Sequence, residues 1–331
     1  MIRLATYNIE WFNALFDDDG QPLPDDQPSA RYKVTRGQQL AALALVFRAL
    51  DADGVMIIEG PDTGSRRSTV RALEGFAALN GLRTSRAVHG YPSDSEQEIG
   101  LLYDPARLSV RHDPQSSPDV ARFDGSYRHD LDADGVSEMI TFSKPPLELA
   151  VVTDTGVDLR LIGVHAKSKA PHGTRSEAEF ARISIANRRK QLAQCLWIRA
   201  RAEAHLAAGD RLVVLGDFND GPGLDNYERL FGHSGVEIVM GLAVGQRLTD
   251  PHAEMALASR VGLTPTTARF WLAPQKRYFE ALLDFIMVSP DLARSDWRIW
   301  HPFNDPQISR DLSEALLAAS DHFPVTVDLK L

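Results

Sequence analysis

The chain has 331 residues, 44 % of them hydrophobic and 24 % charged, a balance that can bury one large core or two average ones. Its formal net charge of -9 argues against a protein that tracks nucleic-acid phosphates regardless of sequence, because phosphate neutralisation supplies most of that affinity. No apolar run approaches the roughly 18 residues of a membrane helix, no basic stretch leads into an apolar one as in a signal peptide, and the single cysteine, Cys195, precludes an intrachain disulfide.

Taken in chain order, residues 3–9 read as a strand, 38–50 as a helix and 54–59 as a buried strand of consecutive apolar residues. Further strands are expected at 99–103, 147–153, 158–165, 211–216, 282–289 and 324–329. The clearest helix follows Thr174: Ser176 and Glu179 have capping-box spacing, the run continues to about Ala208, and Gly209 stops it. Cys195 falls inside this pattern, as a buried inert thiol. Residues 17–28 and 114–124 read as surface loops. No internal repeat and no long linker divides the chain, so one domain is expected. Many strands with few helices point to a layered α/β protein rather than a doubly wound one.

Five places put a polar, metal-binding or proton-transferring residue at the end of an apolar run. They are Thr6-Tyr7-Asn8, Ile57-Ile58-Glu59, Gly163-Val164-His165, Gly216-Asp217-Phe218-Asn219 and Ser320-Asp321-His322. A related run, Leu283-Asp284-Phe285-Ile286, holds one acid in an otherwise apolar strand. A packed strand is rigid and its end is where side chains leave the core, so a group there is both held and accessible. Carboxylates and an amide are hard oxygen ligands that suit Mg²⁺ or Mn²⁺. No His-Glu-x-x-His or Cys-x-x-Cys supports zinc. Each piece alone has an ordinary reading: a turn cap for Asn8, an arginine partner for Glu59, a satisfied core histidine for His165. Their joint occurrence in this order is far harder to reach by chance.

On these residues the chain resembles the endonuclease/exonuclease/phosphatase family of DNase-I-like, metal-dependent phosphoesterases, from Thr6 through His322. The resemblance implies a single domain over residues 1–331, a four-layer α/β sandwich with two mixed β-sheets packed face to face and helices outside. It implies Glu59 as the metal ligand, Asn8 beside it and Asp321 as a second acid near the metal. Asp217 would orient or deprotonate the attacking water, and Asn219 would position that water and the phosphate. His322 would contact the phosphate with Asp284 as its carboxylate partner, and His165 resembles the second histidine of the DNase-like and sphingomyelinase-like branches. The implied cofactor is Mg²⁺, with Mn²⁺ as the alternative. Two departures stand out. The residue before the metal glutamate is usually glutamine and here is Ile58. Residues 166–174, rich in Lys, Ser and Gly, match no single branch, so the substrate stays unnamed.

The implied reaction is hydrolysis of a phosphodiester or phosphomonoester by metal-assisted attack of water. Asp217 is the candidate base and a protonated His322 the donor to the phosphate. The converse, with His322 as base, stays open because such groups titrate together. Rival readings are a nuclease acting on DNA or RNA, a catalytically silent binding module, and a serine hydrolase. The retention of six site residues argues against the silent module, and the lack of Gly-x-Ser-x-Gly against the serine hydrolase. Residues 130–135 resemble the start of a calcium loop but read better as a hairpin turn, since Thr141 stands where the loop's last acid belongs. Trp271 fits either a substrate pocket or core packing.

A cytoplasmic monomer without a membrane span is expected, with secretion open for a chain trimmed behind a signal. The expected partner is a phosphate ester rather than long duplex DNA. Lys167 is the candidate phosphate contact, and only Lys169 and Arg175 stand near it as further cations. The acids Asp17, Asp18, Asp19, Asp25 and Asp26 follow Asn8 closely and would repel a polyanion. Titrating labelled duplex DNA with the Asp217→Asn variant, at about 0.15 M salt with Mg²⁺, is therefore expected to show no submicromolar, sequence-independent binding. Such binding would make a DNase-like nuclease the better reading.

Overall fold

The computed structural model describes residues 1–95, 97–129, 138–170, 176–221, 232–241, 246–258, 265–272 and 275–331. In chain order the first elements are β1 (Ile2–Asn8), α1 (Arg36–Leu50), β2 (Gly54–Gly60), α2 (Thr69–Asn80), β3 (Arg86–His89), β4 (Glu98–Tyr103) and β5 (Leu108–His112). There follow β6 (Tyr127–His129), β7 (Glu138–Ile140), β8 (Leu147–Thr153), β9 (Asp158–His165), α3 (Glu177–Ala208) and β10 (Leu212–Asp217). Next come α4 (Gly235–Met240), α5 (Pro251–Ala258), β11 (Ala268–Leu272) and β12 (Arg277–Ala281). The last are β13 (Asp284–Val288), β14 (Asp296–Ile299), α6 (Arg310–Ala319) and β15 (Val325–Leu329).

A six-stranded sheet has the order β14-β15-β1-β2-β4-β3, and a five-stranded sheet the order β13-β10-β9-β8-β5. Both are mixed. Each has one parallel pair, β1 with β2 and β9 with β10, flanked by antiparallel neighbours. The sheets pack face to face through Leu4, Met56, Ile58, Leu161, Val213 and Ile286, all buried. Ile58 is thus committed to the layer between the sheets. A second apolar cluster joins the outer face of the first sheet to α1, α2 and α6, and a third joins the second sheet to α3 and α4. The result is the four-layer sandwich, with burial of these apolar faces as its main driving force.

The strand expectations hold within a residue or two, and α3 starts from Ser176, whose side chain accepts the Glu179 N–H, and ends at Gly209 in the left-handed region. Helices are more frequent than expected. The helical periodicity of α2 is interrupted by Gly75, which packs against the Gly20 carbonyl. Strongly amphipathic α6 covers the first sheet directly before the Ser320 motif. The 114–124 stretch is not a purely surface loop, since Val120 and Phe123 are buried under α3 beside Trp197. Cys195 is buried, and burial pushes its thiol up, as suits an inert role. The calcium-loop-like stretch 130–135, Thr174 and Arg175 lie outside the described residues. Among the described residues no helix is long and apolar enough to cross a membrane.

Strand direction places the functional residues. The parallel pairs β1–β2 and β9–β10 end at one edge of the sandwich, so Asn8, Glu59, His165 and Asp217 emerge together. Antiparallel neighbours begin where these strands end: Asp284 of β13 lies opposite Asp217, and Val325 of β15 opposite Thr6. Residues far apart in sequence therefore share one edge.

Gly216 makes this edge possible. Its φ is +142°, and a Cβ there would lie 2.0 Å from the carbonyl oxygen of Val164 on the neighbouring strand. Gly209, also at positive φ, has nothing within 4 Å of such a Cβ. Gly209→Ala should cost about 1–2 kcal/mol for the left-handed backbone alone. Gly216→Ala should cost more than about 3 kcal/mol or abolish folding, because backbone must also move. Urea unfolding of both variants checks this, and equal midpoints would contradict it.

Candidate active site

The strand ends open into a cleft of about 910 Å³ that takes in Asn8, Glu59, His165, Asp217, Asn219, Asp321 and His322. A smaller hollow of about 480 Å³ lies beside Trp297 and His301. There His301 is occupied by Thr266 Oγ1 and the N–H groups of Phe303 and Asn304, and Arg298 pairs with Asp305, so it presents no comparable chemistry.

Asp217 is the most constrained group. It is buried, and its Oδ1 accepts the Asn219 backbone N–H at 2.7 Å. Its Oδ2 accepts the side-chain amides of Asn8 and Asn219, each at 3.0 Å. Burial pushes its carboxyl up to about 7, with Asp284 and Glu59 adding to the rise and His322 and the Asn219 N–H opposing it. Asn219 sits at φ 50° and also donates from Nδ2 to the Ala166 carbonyl. With both amide hydrogens committed, its Oδ1 remains as an acceptor, suited to a water rather than to a phosphate oxygen.

Glu59, next to last in β2, sits at φ 61°, where the pairing with β4 shifts register by one residue between Ile57 and Gly60. The bulge turns a side chain that would follow the alternation of the strand into the cleft. Burial raises the Glu59 carboxyl, with Lys144, His322 and the Asn8 amide opposing the rise and Asp321 adding to it. The Oδ1 of Asn8 is buried and has no donor among the described residues.

His322 Nδ1 lies 2.8 Å from Asp284 Oδ2. Burial disfavours the charged ring, but Asp284, then Asp217 and Asp321, outweigh it and hold His322 well above the usual histidine range. The pair is clamped from outside by Thr267 and Arg269, at the start of β11. Thr267 Oγ1 accepts the N–H groups of Leu283 and Asp284, both at 3.0 Å, while the Phe323 N–H donates to the Thr267 carbonyl and the Arg269 N–H to the Asp321 carbonyl. Ser320 ties the same loop to β1. Its hydroxyl donates to the Asn8 carbonyl at 2.8 Å and accepts the N–H groups of Glu10 and His322.

His165 is buried, with Nε2 3.7 Å from Asp217 Oδ2 and 3.8 Å from Glu59 Oε1. Burial, then the charges of Lys144 and His322, hold it well below the usual range, so the ring is neutral. Lys167 lines the cleft and its backbone N–H donates to Gln194 Oε1. Lys169 lines it too, but its ammonium is paired with buried Asp220.

The cleft thus brings together every expected site residue except Asp284, which meets it through His322. Trp271 is neither in the pocket nor in the core. Strand alternation puts it on the outer face of the β11–β12 hairpin with Tyr278, while Phe270, Leu272 and Phe279 face the cleft. None of the acids between Asp17 and Asp26 lines the cleft, and Asp18 and Asp25 pair with Arg67 and Arg36. Two charged groups were not anticipated. Glu10 faces the cleft paired with Arg31, its carboxyl pushed up to about 7 mainly by burial. Lys144 stands three residues before β8, with no sequence signal beyond a basic residue ahead of two prolines.

The model of the Endonuclease/Exonuclease/phosphatase family matches residues 5–322. Among solved structures, TDP2 from Caenorhabditis elegans is similar with a TM-score of 0.53 at 13 % identity, covering 99 % of this chain and 74 % of that one. A mannosyl-6-phosphatase of Bacteroides thetaiotaomicron is similar at 0.52 and 15 % identity, with all of both chains covered. The 3′ phosphatase NExo from Neisseria, bound to a product DNA hairpin, is similar at 0.51 and 16 % identity, again over all of both chains. At such identities the likeness speaks for the fold. A search of the curated proteins found no match. With the family model spanning the strand ends that build the cleft, the chain belongs to the endonuclease/exonuclease/phosphatase family.

Proposed function

We propose that this protein is a Mg²⁺-dependent phosphoric ester hydrolase in which Asp217 prepares water for attack on a phosphodiester or phosphomonoester. The observation that carries the reading is the posture of Asp217. It is a buried carboxylate held from both sheets by the amides of Asn8 and Asn219, with the His322–Asp284 pair in the same cleft.

The oxygen donors fit a hard divalent ion: Glu59, Asp321 and Asn8 Oδ1, the last buried and without a donor among the described residues. Among those residues no three His, Cys, Asp or Glu side chains converge on one point. Mg²⁺ needs no such cage, because it keeps several waters and takes one or two carboxylates. When bound, the ion supplies charge neutralisation at a phosphoryl oxygen and at the leaving oxygen.

Asp217 takes the water proton. A proton affinity raised to about 7 suits a base working near neutrality. Asn219 Oδ1 accepts from the same water and fixes its line of approach. Protonated His322 donates to a non-bridging phosphate oxygen, and Asp284 keeps that ring charged and oriented.

Asp217→Asn and His322→Ala should each lower turnover of a responsive chromogenic phosphoester at least about 100-fold, with unfolding midpoints close to wild type. Near-normal turnover in both would remove this mechanism. Chelation with EDTA should abolish activity, and added Mg²⁺ or Mn²⁺ should restore it. Activity indifferent to EDTA would favour the serine-hydrolase chemistry instead.

A further inference from the structure

We propose that Trp11 is a specificity-determining residue whose indole stacks on a planar aromatic ring of the substrate, a nucleobase or a phenol ring, carried beside the phosphate. The proposal rests on the phosphoesterase reading above and names the class of group esterified to that phosphate.

Trp11 stands in the turn that follows β1. The Phe12 N–H donates to the Ile9 carbonyl at 3.1 Å, so Glu10 and Trp11 are the two central residues of a tight turn. Its ends are pinned. Ile9 and Phe12 are fully buried, and Phe12 packs edge-on against Phe16 and Phe76. The Glu10 N–H donates to Ser320 Oγ at 3.1 Å. The turn holds Trp11 at φ 55° and ψ 35°. A positive φ in third place is where glycine ordinarily stands, because it alone pays no steric cost there. A bulky side chain at that place is an outlier.

The ring returns nothing to the fold that offsets this strain. Trp11 is 52 % exposed, and among the described residues its indole makes no hydrogen bond, ring contact or cation–π contact. The other strained residues of the cleft are held by partners, Glu59 by its bulge and Asn219 by its bonds to Asp217 and Ala166. Large aromatic side chains are also exposed at Tyr32, Phe180, Trp271, Tyr278 and Phe303, but among all of these Trp11 is the one that lines the cleft. A strained, half-exposed ring that faces the site points to a role in binding.

The surroundings select the occupant. Three residues separate Trp11 from Asn8, so their backbones lie at most about 11 Å apart. A ring stacked on Trp11 is therefore within a few bonds of a phosphate held at Asp217. An indole half in water offers one flat π face, which a second planar ring covers at once and an aliphatic chain covers poorly. A quaternary ammonium calls for a cage of several rings, and no second ring touches Trp11 among the described residues. Phe270, Leu272 and Phe279 line the same cleft, an apolar setting for an uncharged ring.

The test reads binding in the Asp217→Asn protein with Mg²⁺, so that the ligands survive, and compares it with Asp217→Asn carrying Trp11→Gly or Trp11→Phe. Adenosine 5′-monophosphate, phenyl phosphate, ribose 5-phosphate and phosphocholine are titrated calorimetrically. Trp11→Gly should weaken adenosine 5′-monophosphate, phenyl phosphate or both at least about fivefold, and ribose 5-phosphate less than about twofold. Which of the two ring ligands responds tells a nucleobase from a phenol ring. Trp11→Phe should recover most of the binding. Because glycine relaxes the turn, Trp11→Gly should unfold at or above its parent's midpoint. In the otherwise wild-type enzyme it should act on KM rather than kcat. Ring ligands bound equally with and without Trp11, ribose 5-phosphate weakened as much as they are, or a Trp11-dependent site for phosphocholine alone overturns the proposal. A midpoint lowered by more than about 5 °C does so too, since the ring would then be holding the fold. Trp11-dependent ring binding in a protein that hydrolyses no phosphoester would uphold the stacking while sinking the hydrolase reading. A ring-bearing ester hydrolysed equally well by wild type and Trp11→Gly would do the reverse.

Discussion

The hydrogen bond from Asn8 to Asp217 crosses from one β-sheet to the other, and the cleft depends on it. Asn8 ends a strand of the six-stranded sheet and Asp217 a strand of the five-stranded one. Their side chains meet at 3.0 Å only if the sheets are packed at the right separation and stagger. That separation is set behind them, where Gly163 lies so close to Met56 that an added Cβ would fall 2.5 Å from its sulfur. Leaving a buried carboxylate without donors would cost about 1–3 kcal/mol or more. Satisfying Asp217 from both sheets therefore couples the posture of this carboxylate to the packing of the core.

Net charge is a poor guide to what a phosphate meets in this cleft. Much of the acidity of the chain lies on surfaces where arginines answer it, as Arg36 and Arg67 answer Asp25 and Asp18. Inside the cleft the carboxylates of Glu59, Asp217 and Asp321 face a protonated His322 and Lys144 across a medium that screens poorly. Each cation there counts for more than a surface arginine at the same distance. The total of -9 thus bears on encounter with a long polyanion, whereas the local arrangement bears on a single phosphate group.

The strands and the site residues were legible because burial on both faces writes consecutive apolar residues, and a polar residue ending such a run is conspicuous. Asn8, Glu59, His165 and Asp217 all stand out in this way. The His322–Asp284 pair was legible only through the family resemblance, since nothing local links residues 38 apart. Lys144 and Glu10 escaped notice because neither ends an apolar run, and only the folded chain brings them to the cleft. Trp271 was open between pocket and core, and a two-residue alternation on a short hairpin decided for neither. Helix α2 was hidden by Gly75, tolerated there because the chain passes close to Gly20.

Part of the backbone strain lies at the cleft, and part away from it at Lys33, Asp51 and Lys276. Non-glycine residues at positive φ include Trp11, Glu59 and Asn219, and all three line the cleft. A left-handed residue with a side chain costs about 1 kcal/mol or more, and such a cost persists only where the surroundings over-determine the geometry. Here they do: Glu59 is locked by a bulge between paired strands, and Asn219 by three hydrogen bonds to Asp217 and the Ala166 carbonyl. A strand that simply continued its alternation would carry Glu59 to one sheet face or bury it. The bulge instead presents its oxygens at the sheet edge, in the cleft that Asn8 also lines, so the strain is the direct consequence of turning a strand-end carboxylate into that cleft. The apolar layers on both sides of each sheet supply the stability that holds these three residues in place.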